Sequence, residues 1–327
     1  MTTLEHLLRA AVLGLPLPQD FAVPAEEWRS VVPLALRQGV GALLHDLLPL
    51  LPRESQPPRH ALFALAAAAD RAERDYERKQ QALASLTQLT GQEYPMVKGM
   101  RLAALYPVPA HRAFSDIDLY TGAATDALVS LLQSHGIACD GKNPRHPTFV
   151  LHGALFEAHR WLGYWGANDS LSRLASCESL EAQALLLAEG MSYDALFFNQ
   201  PIPLRRLLDW LVLTRQPIFD RTAFRQLKVG AETELFADAL DAYCLARFGL
   251  AAKDTPIFPP HHFHLMFCTP QKRGRHAVGR ALRRAWKYTR FRQEYRQLYG
   301  EGMFRHFYWH NLVVGTRHLL LKRHARP

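Results

Sequence analysis

Apolar residues recur at helical spacing through the first third of the chain. Leu4, Leu7 and Leu8 lie on one face of a predicted helix near the N terminus. The stretch Trp28–Leu48 shows the same periodicity, and a Pro-rich loop separates it from His60–Thr90. That last stretch is rich in helix-forming residues and contains neither Gly nor Pro, which predicts one long helix. Residues 1–90 are therefore predicted to form an N-terminal helical region.

The pattern changes at Gly91, where short apolar runs and turn residues replace the helical period. Asp116–Tyr120 alternates polar and apolar side chains, as a half-buried strand does. The other predicted elements are a strand at Tyr94–Val97, a helix at Ala123–Ser134, and two strands, Thr148–Leu151 and Leu155–Leu162, that turn at residues 152–153. Together they predict a small unit of helices and strands over residues 91–165.

Helical periodicity returns after Ser179 and continues towards the C terminus. Leu204–Leu213 is strongly amphipathic, and Phe219–Leu250 is long enough for two more helices. Ile257–Phe267 is rich in Pro and His and is predicted to be an irregular connection. We expect a helical region over residues 166–270 and a basic C-terminal helical segment over residues 271–327.

Length and composition are those of an ordinary globular protein. The chain has 327 residues, 48% of them apolar, which allows about two domains with a sizeable core. Charged residues interrupt the N-terminal apolar positions, so they do not form an export signal. No apolar run reaches the roughly 18 residues of a membrane span. The four cysteines form no C-x-x-C pair, and we expect a cytoplasmic protein.

The net charge of +9 is concentrated at the C-terminal end. Residues 271–327 contain fifteen Lys or Arg but only two acidic residues, Glu294 and Glu301. Aromatic residues are interleaved with these cations. The pattern is compatible with a solvated helix face, with binding of nucleic-acid phosphates, or with binding of an anionic membrane surface. It is equally compatible with an amphipathic helix docked on the core.

Two carboxylates in the predicted strand 116–120 are the first candidate for chemistry. Residues two apart project from the same face of a strand, so Asp116 and Asp118 are side by side. Neighbouring carboxylates repel each other, and a divalent cation removes that conflict. Mg²⁺ prefers oxygen ligands and often binds carboxylates together with substrate phosphates. We predict a Mg²⁺ site here, with Mn²⁺ as the alternative ion.

A Lys-Gly turn and a later acidic strand extend this candidate site. Lys98-Gly99 follows a predicted strand and precedes a helical turn, an arrangement that presents backbone N–H groups and one cation to a phosphate. Arg112 lies four residues before Asp116 and is a second candidate phosphate ligand. Glu157, with His159 on the same strand face, becomes a third carboxylate if its strand lies beside that of Asp116.

These motifs, in this order and spacing, resemble the DNA polymerase beta type of nucleotidyltransferase. The chain is similar to a bacterial family known as uncharacterised nucleotidyltransferases, over roughly residues 25–215. The matching motifs are Lys98-Gly99, Arg112, Ser115–Leu119, Glu157-x-His159 and Arg206-Leu207-Leu208-Asp209-Trp210. One departure is Met100, which follows Gly99 where the superfamily usually has Ser or Gly.

The resemblance implies a fold and an activity. The implied fold is α+β, a small mixed-sheet nucleotidyltransferase core embedded in a largely helical protein. The implied activity is Mg²⁺-dependent transfer of a nucleoside monophosphate from a nucleoside triphosphate to an unidentified small molecule, protein or RNA. The implied site consists of Asp116, Asp118 and Glu157 as metal-binding and catalytic residues, Lys98, Gly99, Arg112 and Ser115 as phosphate-binding residues, and His159 as an accessory residue.

Several other interpretations stay open at this point. The chain could be a binding module for nucleotides or nucleic acids without turnover, or a toxin-like enzyme that modifies tRNA. Glu157 and His159 could form a simple ion pair on the sheet. Arg206 and Asp209, three residues apart in a predicted helix, are most simply a pair on its surface. Trp161, Tyr164 and Trp165 could stack a base or pack in the core.

Overall fold

The computed structural model describes residues 1–163, 178–197, 200–227, 231–251, 258–268, 286–300 and 304–305. Within these ranges the fold is α+β, with five short strands in a largely helical protein. This confirms the predicted fold class. The division into four regions stays a prediction.

The N-terminal helices begin and end at residues with clear local causes. The helices are α1 (Thr3–Leu13), α2 (Trp28–Arg37), α3 (Gly41–His45) and α4 (Arg59–Thr90). Thr2 and Glu5 form a capping box at the start of α1. Gly39, at φ 70°, separates α2 from α3, and Gly91, also at φ 70°, ends α4. The periodic stretch at residues 28–48 is therefore two helices because a left-handed glycine interrupts it.

A mixed sheet lies between α4 and the C-terminal helices in sequence. Its strands are β1 (Met96–Val97), β2 (Asp116–Tyr120), β3 (Cys139–Asp140), β4 (Thr148–Leu151) and β5 (Ala154–His159), in the spatial order β1-β2-β5-β4-β3. Only the β2–β5 pair is parallel. His152 and Gly153 both have positive φ and form the tight turn between β4 and β5.

One face of the sheet is apolar and the other is polar. Ile117 and Leu119 of β2 and Phe156 of β5 are fully buried in a cluster with residues of α4 and of two further helices, α5 (Gly99–Ala103) and α6 (Thr125–Ser134). Residues alternate between faces along a strand. Asp116 and Asp118 therefore project from the opposite face, together with Glu157 and His159.

The remaining described helices pack with the N-terminal helices into a second, larger apolar cluster. They are α7 (Leu180–Phe197), α8 (Leu204–Thr214), α9 (Arg221–Gln226), α10 (Ala231–Arg247) and α11 (Pro260–Phe263), the last followed by a π-helical turn at His264–Cys268. The prediction of an irregular connection at Ile257–Phe267 was wrong from residue 260 onward. Pro260 occupies the first helical position, where proline is well tolerated, and Phe263, Met266 and Phe267 are buried.

The described part of the basic segment is helical at residues 286–290 and 292–300. Tyr288, Phe291 and Tyr295 are buried in the larger cluster, whereas Trp286 and Arg292 are exposed. This part of the segment is therefore an amphipathic element that docks on the protein core. Among the described helices, none is both long and apolar enough to cross a membrane.

Candidate active site

The parallel pairing of β2 with β5 places the predicted carboxylates next to each other. Asp118 lies opposite Glu157 in the β2–β5 register, and Asp116 lies opposite Leu155. Ligand atoms of Asp118, Glu157 and His159 lie within 4.8 Å of one another. His159 Nε2 is 2.9 Å from Asp118 Oδ1 and 3.4 Å from Glu157 Oε2. His159 therefore contacts both carboxylates, and the simple ion pair between it and Glu157 is only part of the arrangement.

The Lys-Gly turn faces the same carboxylates because β1 pairs with β2. Val97 lies opposite Asp118 in the register, and Lys98 Nζ is 3.0 Å from Asp118 Oδ1. Lys98 has φ 56° and ψ −124°, a backbone conformation that favours glycine. Its backbone N–H donates to Gln183 Oε1 of α7 at 2.8 Å. The turn is thus held by the sheet on one side and by α7 on the other.

Arg112 occupies a buried position behind the turn. Its Nε and Nη2 donate to the two carboxylate oxygens of Asp209 on α8, at 2.9 and 2.6 Å. Its Nη1 donates to the carbonyl oxygen of Gly99 at 3.2 Å. The predicted pair between Arg206 and Asp209 was wrong, because Arg206 Nη1 bonds Asp194 Oδ2 of α7 at 2.6 Å instead. Arg206 and Asp209 therefore each pair with a residue outside α8 and not with each other.

A cleft with a volume of about 560 Å³ separates the sheet from α7 and α8. The sheet side of the cleft is formed by Lys98, Gly99, Ser115, Asp116, Asp118 and Glu157, and the helical side by residues including Leu186, Gly190, Tyr193, Arg205 and Asp209. Ser115 Oγ donates to Asp116 Oδ1 at 2.9 Å. Trp161 also lines the cleft, while Tyr164 and Trp165 lie outside the described residues. The structure therefore brings all the predicted site residues to this cleft or, for His159, directly behind it.

Comparison with known protein families agrees with this geometry. A family model described as "Uncharacterised nucleotidyltransferase" matches residues 24–228, which is more than half of the chain. The chain belongs to this family. No curated protein and no solved structure matches it. Membership in the uncharacterised nucleotidyltransferase family supports a general role in nucleotidyl transfer.

The family match spans both walls of the cleft. It begins before α2 and ends just after α9, so it includes the carboxylate-bearing sheet, α7 and α8. The elements that follow, α10, α11 and the helical residues 286–300, lie beyond it. The cleft is therefore made by the part of the chain that matches the family model.

The three carboxylates at the cleft differ in their electrostatic surroundings. Burial raises the pKa of Asp116, and the negative charges of Asp118 and Glu157 raise it further. Burial alone would also raise the pKa of Asp118, but the charge of Lys98 and a hydrogen bond from His159 lower it well below the ordinary value. Burial would raise the pKa of Glu157 as well, but a hydrogen bond from His159, together with the charges of His146 and His159, lowers it.

These surroundings fit a divalent cation. Asp116, Asp118 and Glu157 supply several oxygen donors on one face of the sheet, which is the donor type that Mg²⁺ and Mn²⁺ prefer. The raised pKa of Asp116 reflects crowded negative charge that a cation would relieve. Met100, where the superfamily usually has Ser or Gly, is buried in the sheet cluster and offers no hydroxyl.

His146 is a site residue that the sequence analysis missed. It lines the cleft, and its Nδ1 is 3.5 Å from Glu157 Oε2. Burial lowers the pKa of His146 to about 4, despite the opposing charge of Glu157. His146 lies two residues before β4, whose Thr148 pairs with Glu157. Without that pairing, the sequence gives no sign that His146 is near Glu157.

Proposed function

We propose that this protein transfers a nucleoside monophosphate from a nucleoside triphosphate to an acceptor, in a reaction that depends on Mg²⁺ or Mn²⁺. The observation that carries the proposal is the convergence of Asp116, Asp118 and Glu157 on one face of the β2–β5 pair. They face a cleft that also contains the Lys98-Gly99 turn. Surface carboxylates are common, but three at a cleft beside a phosphate-binding type of turn are a functional constellation.

In the proposed reaction, an acceptor oxygen forms a bond to the α-phosphorus of the triphosphate. The bond between the α-phosphorus and the bridging oxygen to the β-phosphorus breaks, and pyrophosphate leaves. The proton of the acceptor hydroxyl passes to a carboxylate at the cleft, for which Glu157 is the candidate, or to solvent. A bound divalent cation would supply charge stabilisation for the phosphate oxygens.

The protein residues have distinct roles in this proposal. Asp116 and Asp118 hold the cation, and Glu157 completes its ligand set or acts as the base. Lys98 and the backbone of Gly99 bind phosphate oxygens. Lys98 Nζ contacts Asp118, so its positive charge lies beside the carboxylates that would hold the cation. His159 fixes the position of Asp118 from the buried side.

The test is transfer of label from each α-³²P nucleoside triphosphate in the presence of Mg²⁺, with cell extract as the source of acceptors. Wild type is compared with Asp116→Asn and Asp118→Asn, which preserve side-chain size. Asp126→Asn is the matched control, because Asp126 is an exposed carboxylate of α6 that pairs with Arg160. We expect each site variant to lose about 10²-fold or more of the activity, while the control retains it.

The outcome separates the alternative functions. Label that appears on tRNA would favour the tRNA-modifying enzyme, and label on protein or on a small molecule would identify that acceptor class instead. If no triphosphate transfers label and none binds in a Mg²⁺-dependent way, the enzyme is excluded. Salt-sensitive RNA binding that persists in the site variants would then favour the binding module.

A further inference from the structure

Five cationic side chains line the cleft, and Arg205 differs from the three that form ion pairs. Three of them bind a carboxylate across the protein: Lys98 binds Asp118, Arg112 binds Asp209, and Arg206 binds Asp194. A fourth, Arg145, donates to the carbonyl oxygen of Leu162. Within the described ranges, no carboxylate forms an ion pair with Arg205.

The polar contacts of Arg205 are sparse for a guanidinium in this position. Its Nη1 donates to the carbonyl oxygen of Ala113 at 2.7 Å. Its Nε is buried and has no hydrogen-bond partner among the described residues. Burial lowers the pKa of Arg205, and the adjacent charge of Arg112 lowers it further. A buried cation beside another cation is unfavourable unless an anion is added.

The nearest internal carboxylate does not supply that anion. Asp209 lies one helical turn after Arg205 on α8, but both of its oxygens accept hydrogen bonds from Arg112. The hydroxyl of Tyr106 donates to Asp209 Oδ1 as well, at 2.8 Å. Both oxygens of Asp209 are therefore already engaged by other donors, and the cleft is the direction from which Arg205 can acquire a counter-ion of its own.

Arg205 lies at the phosphate-binding end of the cleft. Ala113, which accepts its hydrogen bond, directly follows Arg112, and Arg112 binds the carbonyl oxygen of Gly99. Gly99 begins α5, and Asp116 lies three residues after Ala113. A polyphosphate that extends from the carboxylates past the Lys98-Gly99 turn would reach the α8 wall at this end.

We propose that Arg205 binds the β- and γ-phosphates of the nucleoside triphosphate from the α8 wall of the cleft. The proposal rests on the proposed nucleotidyl transfer and assigns the leaving pyrophosphate its own cationic ligand. A guanidinium presents two N–H groups in a fork that matches two phosphate oxygens. The sequence motif pointed to Arg112 for phosphate binding, but Arg112 is engaged by Asp209, whereas Arg205 forms no ion pair with a described carboxylate and its Nε has no described hydrogen-bond partner.

The test measures binding of inorganic tripolyphosphate, which carries no base or sugar, by calorimetry at fixed Mg²⁺. Wild type is compared with Arg205→Gln, Arg205→Lys and Arg215→Gln. Arg215 is exposed at the end of α8 and controls for the change in net charge. We expect about ten- to a hundredfold weaker binding for Arg205→Gln, an intermediate loss for Arg205→Lys, and no loss for Arg215→Gln.

Urea unfolding of the same variants distinguishes binding from a structural role. Loss of a buried uncompensated charge should leave Arg205→Gln at least as stable as wild type, whereas a role in anchoring Ala113 would make it less stable. Tripolyphosphate binding that is equal in Arg205→Gln and wild type, or absent from wild type, would overturn the assignment. If binding depends on Arg205 but wild type transfers no label, the proposed reaction fails and the anion site stands.

Discussion

Arg112 and Asp209 form a bidentate ion pair between residues that are 97 positions apart in the chain. Both side chains are almost completely buried, and the pair connects the loop before β2 to α8. Separation of two buried charges leaves one of them without compensation, which costs far more than loss of an exposed pair. This contact is therefore a structural support for the cleft and for the Gly99 carbonyl that Arg112 also binds.

Asp209→Asn should lower the free energy of unfolding by about 3–5 kcal/mol, because the Arg112 guanidinium stays buried without its counter-charge. Urea unfolding at neutral pH measures the difference. Asp126→Asn, which breaks an exposed pair with Arg160, should change the same quantity far less, because solvent screens that pair. A similarly small effect for Asp209→Asn would mean that Arg112 finds another partner.

His111 connects two helices through two carboxylates. Its Nδ1 is 2.7 Å from Asp46 Oδ1, and its Nε2 is 2.9 Å from Glu73 Oε1 of α4. The hydrogen bond with Asp46 raises the pKa of His111, and Glu73 adds to the increase despite burial. The protonated imidazole can donate to both carboxylates at once, which the neutral form cannot.

A raised pKa in the folded state makes this contribution pH-dependent. The stabilisation is complete below the unfolded pKa of about 6.5 and is lost as the pH rises through the higher folded pKa. His111→Gln should therefore be more destabilising at pH 5.5 than at pH 9, relative to wild type at each pH. Thermal unfolding at the two pH values measures this, and an equal penalty at both would contradict it.

The candidate site residues were recognisable from the sequence to different degrees. Asp116 and Asp118 project from the same face because residues two apart in a strand do so, and that spacing is visible in the sequence. Glu157 becomes their neighbour only through the parallel pairing of β2 with β5, a contact 39 residues apart that no local pattern encodes. Arg205 carries no signal at all, since it lies in an amphipathic helix where basic residues are ordinary.

The start of α5 lies against β2 at a distance that only glycine allows without adjustment. A Cβ at Gly99 would be 3.3 Å from the carbonyl oxygen of Asp116 and 3.4 Å from Phe114 Cβ. The neighbouring atoms belong to the strand and loop that hold the candidate catalytic carboxylate. Any adjustment would therefore change the distance between the phosphate-binding turn and Asp116.

Gly99→Ala should reduce nucleotidyl transfer by about ten- to a hundredfold, because small displacements of reacting groups have large effects on rate. The transfer assay with labelled triphosphate measures the loss. Gly141→Ala is the matched control, since no atom lies within 4 Å of a Cβ at that position. Full activity of Gly99→Ala would show that α5 and β2 can separate without consequence for the reaction.

Secondary structure was predictable where the pattern was continuous. The helix predicted at residues 60–90 and the strand predicted at residues 116–120 match α4 and β2, because each has a long or regular period. The interruption at Gly39 and the helix at residues 260–263 were not predicted. Glycine often follows the end of a helix, and proline often occupies its first position. The sequence alone does not show whether a given glycine or proline has that role.

Across the whole molecule, the helical residues 286–300 support the helix that forms one wall of the cleft. The hydroxyl of Tyr288 donates to the carbonyl oxygen of Leu196 at 3.0 Å, and the hydroxyls of Ser192 and Tyr299 are 2.9 Å apart. Ser192 and Leu196 both lie in α7. Of the interpretations that the sequence left open for this segment, the described residues therefore support the amphipathic helix docked on the core.

Tyr295→Ala should destabilise the protein by about 3 kcal/mol or more, because a large aromatic side chain that is only 2% exposed is removed from the core. Trp286→Ala, at a side chain on the same segment that is 60% exposed, should cost about 1 kcal/mol or less. Urea unfolding compares the two. Equal effects would indicate that the segment does not pack as described.

The packing of helices that are distant in the chain was the feature least predictable from the sequence. The N-terminal helices α1–α3, which end at His45, and the helices after the sheet, which begin at Leu180, share one apolar cluster. Amphipathic patterns show that each helix has a buried face but not which other helix covers it. The predicted fold class, a small mixed sheet among helices, was nevertheless correct, because the helical spacing of apolar residues clearly ends at Gly91.

Because of the backbone conformation of Lys98, selection for stability and selection for activity should favour different residues at position 98. A lysine at φ 56° is strained by about 1–3 kcal/mol relative to a residue that adopts this region freely. A library of all amino acids at position 98 that is screened only for heat resistance should therefore enrich glycine. The same library screened for nucleotidyl transfer should retain lysine, and homologues that have lost the activity should drift towards glycine there.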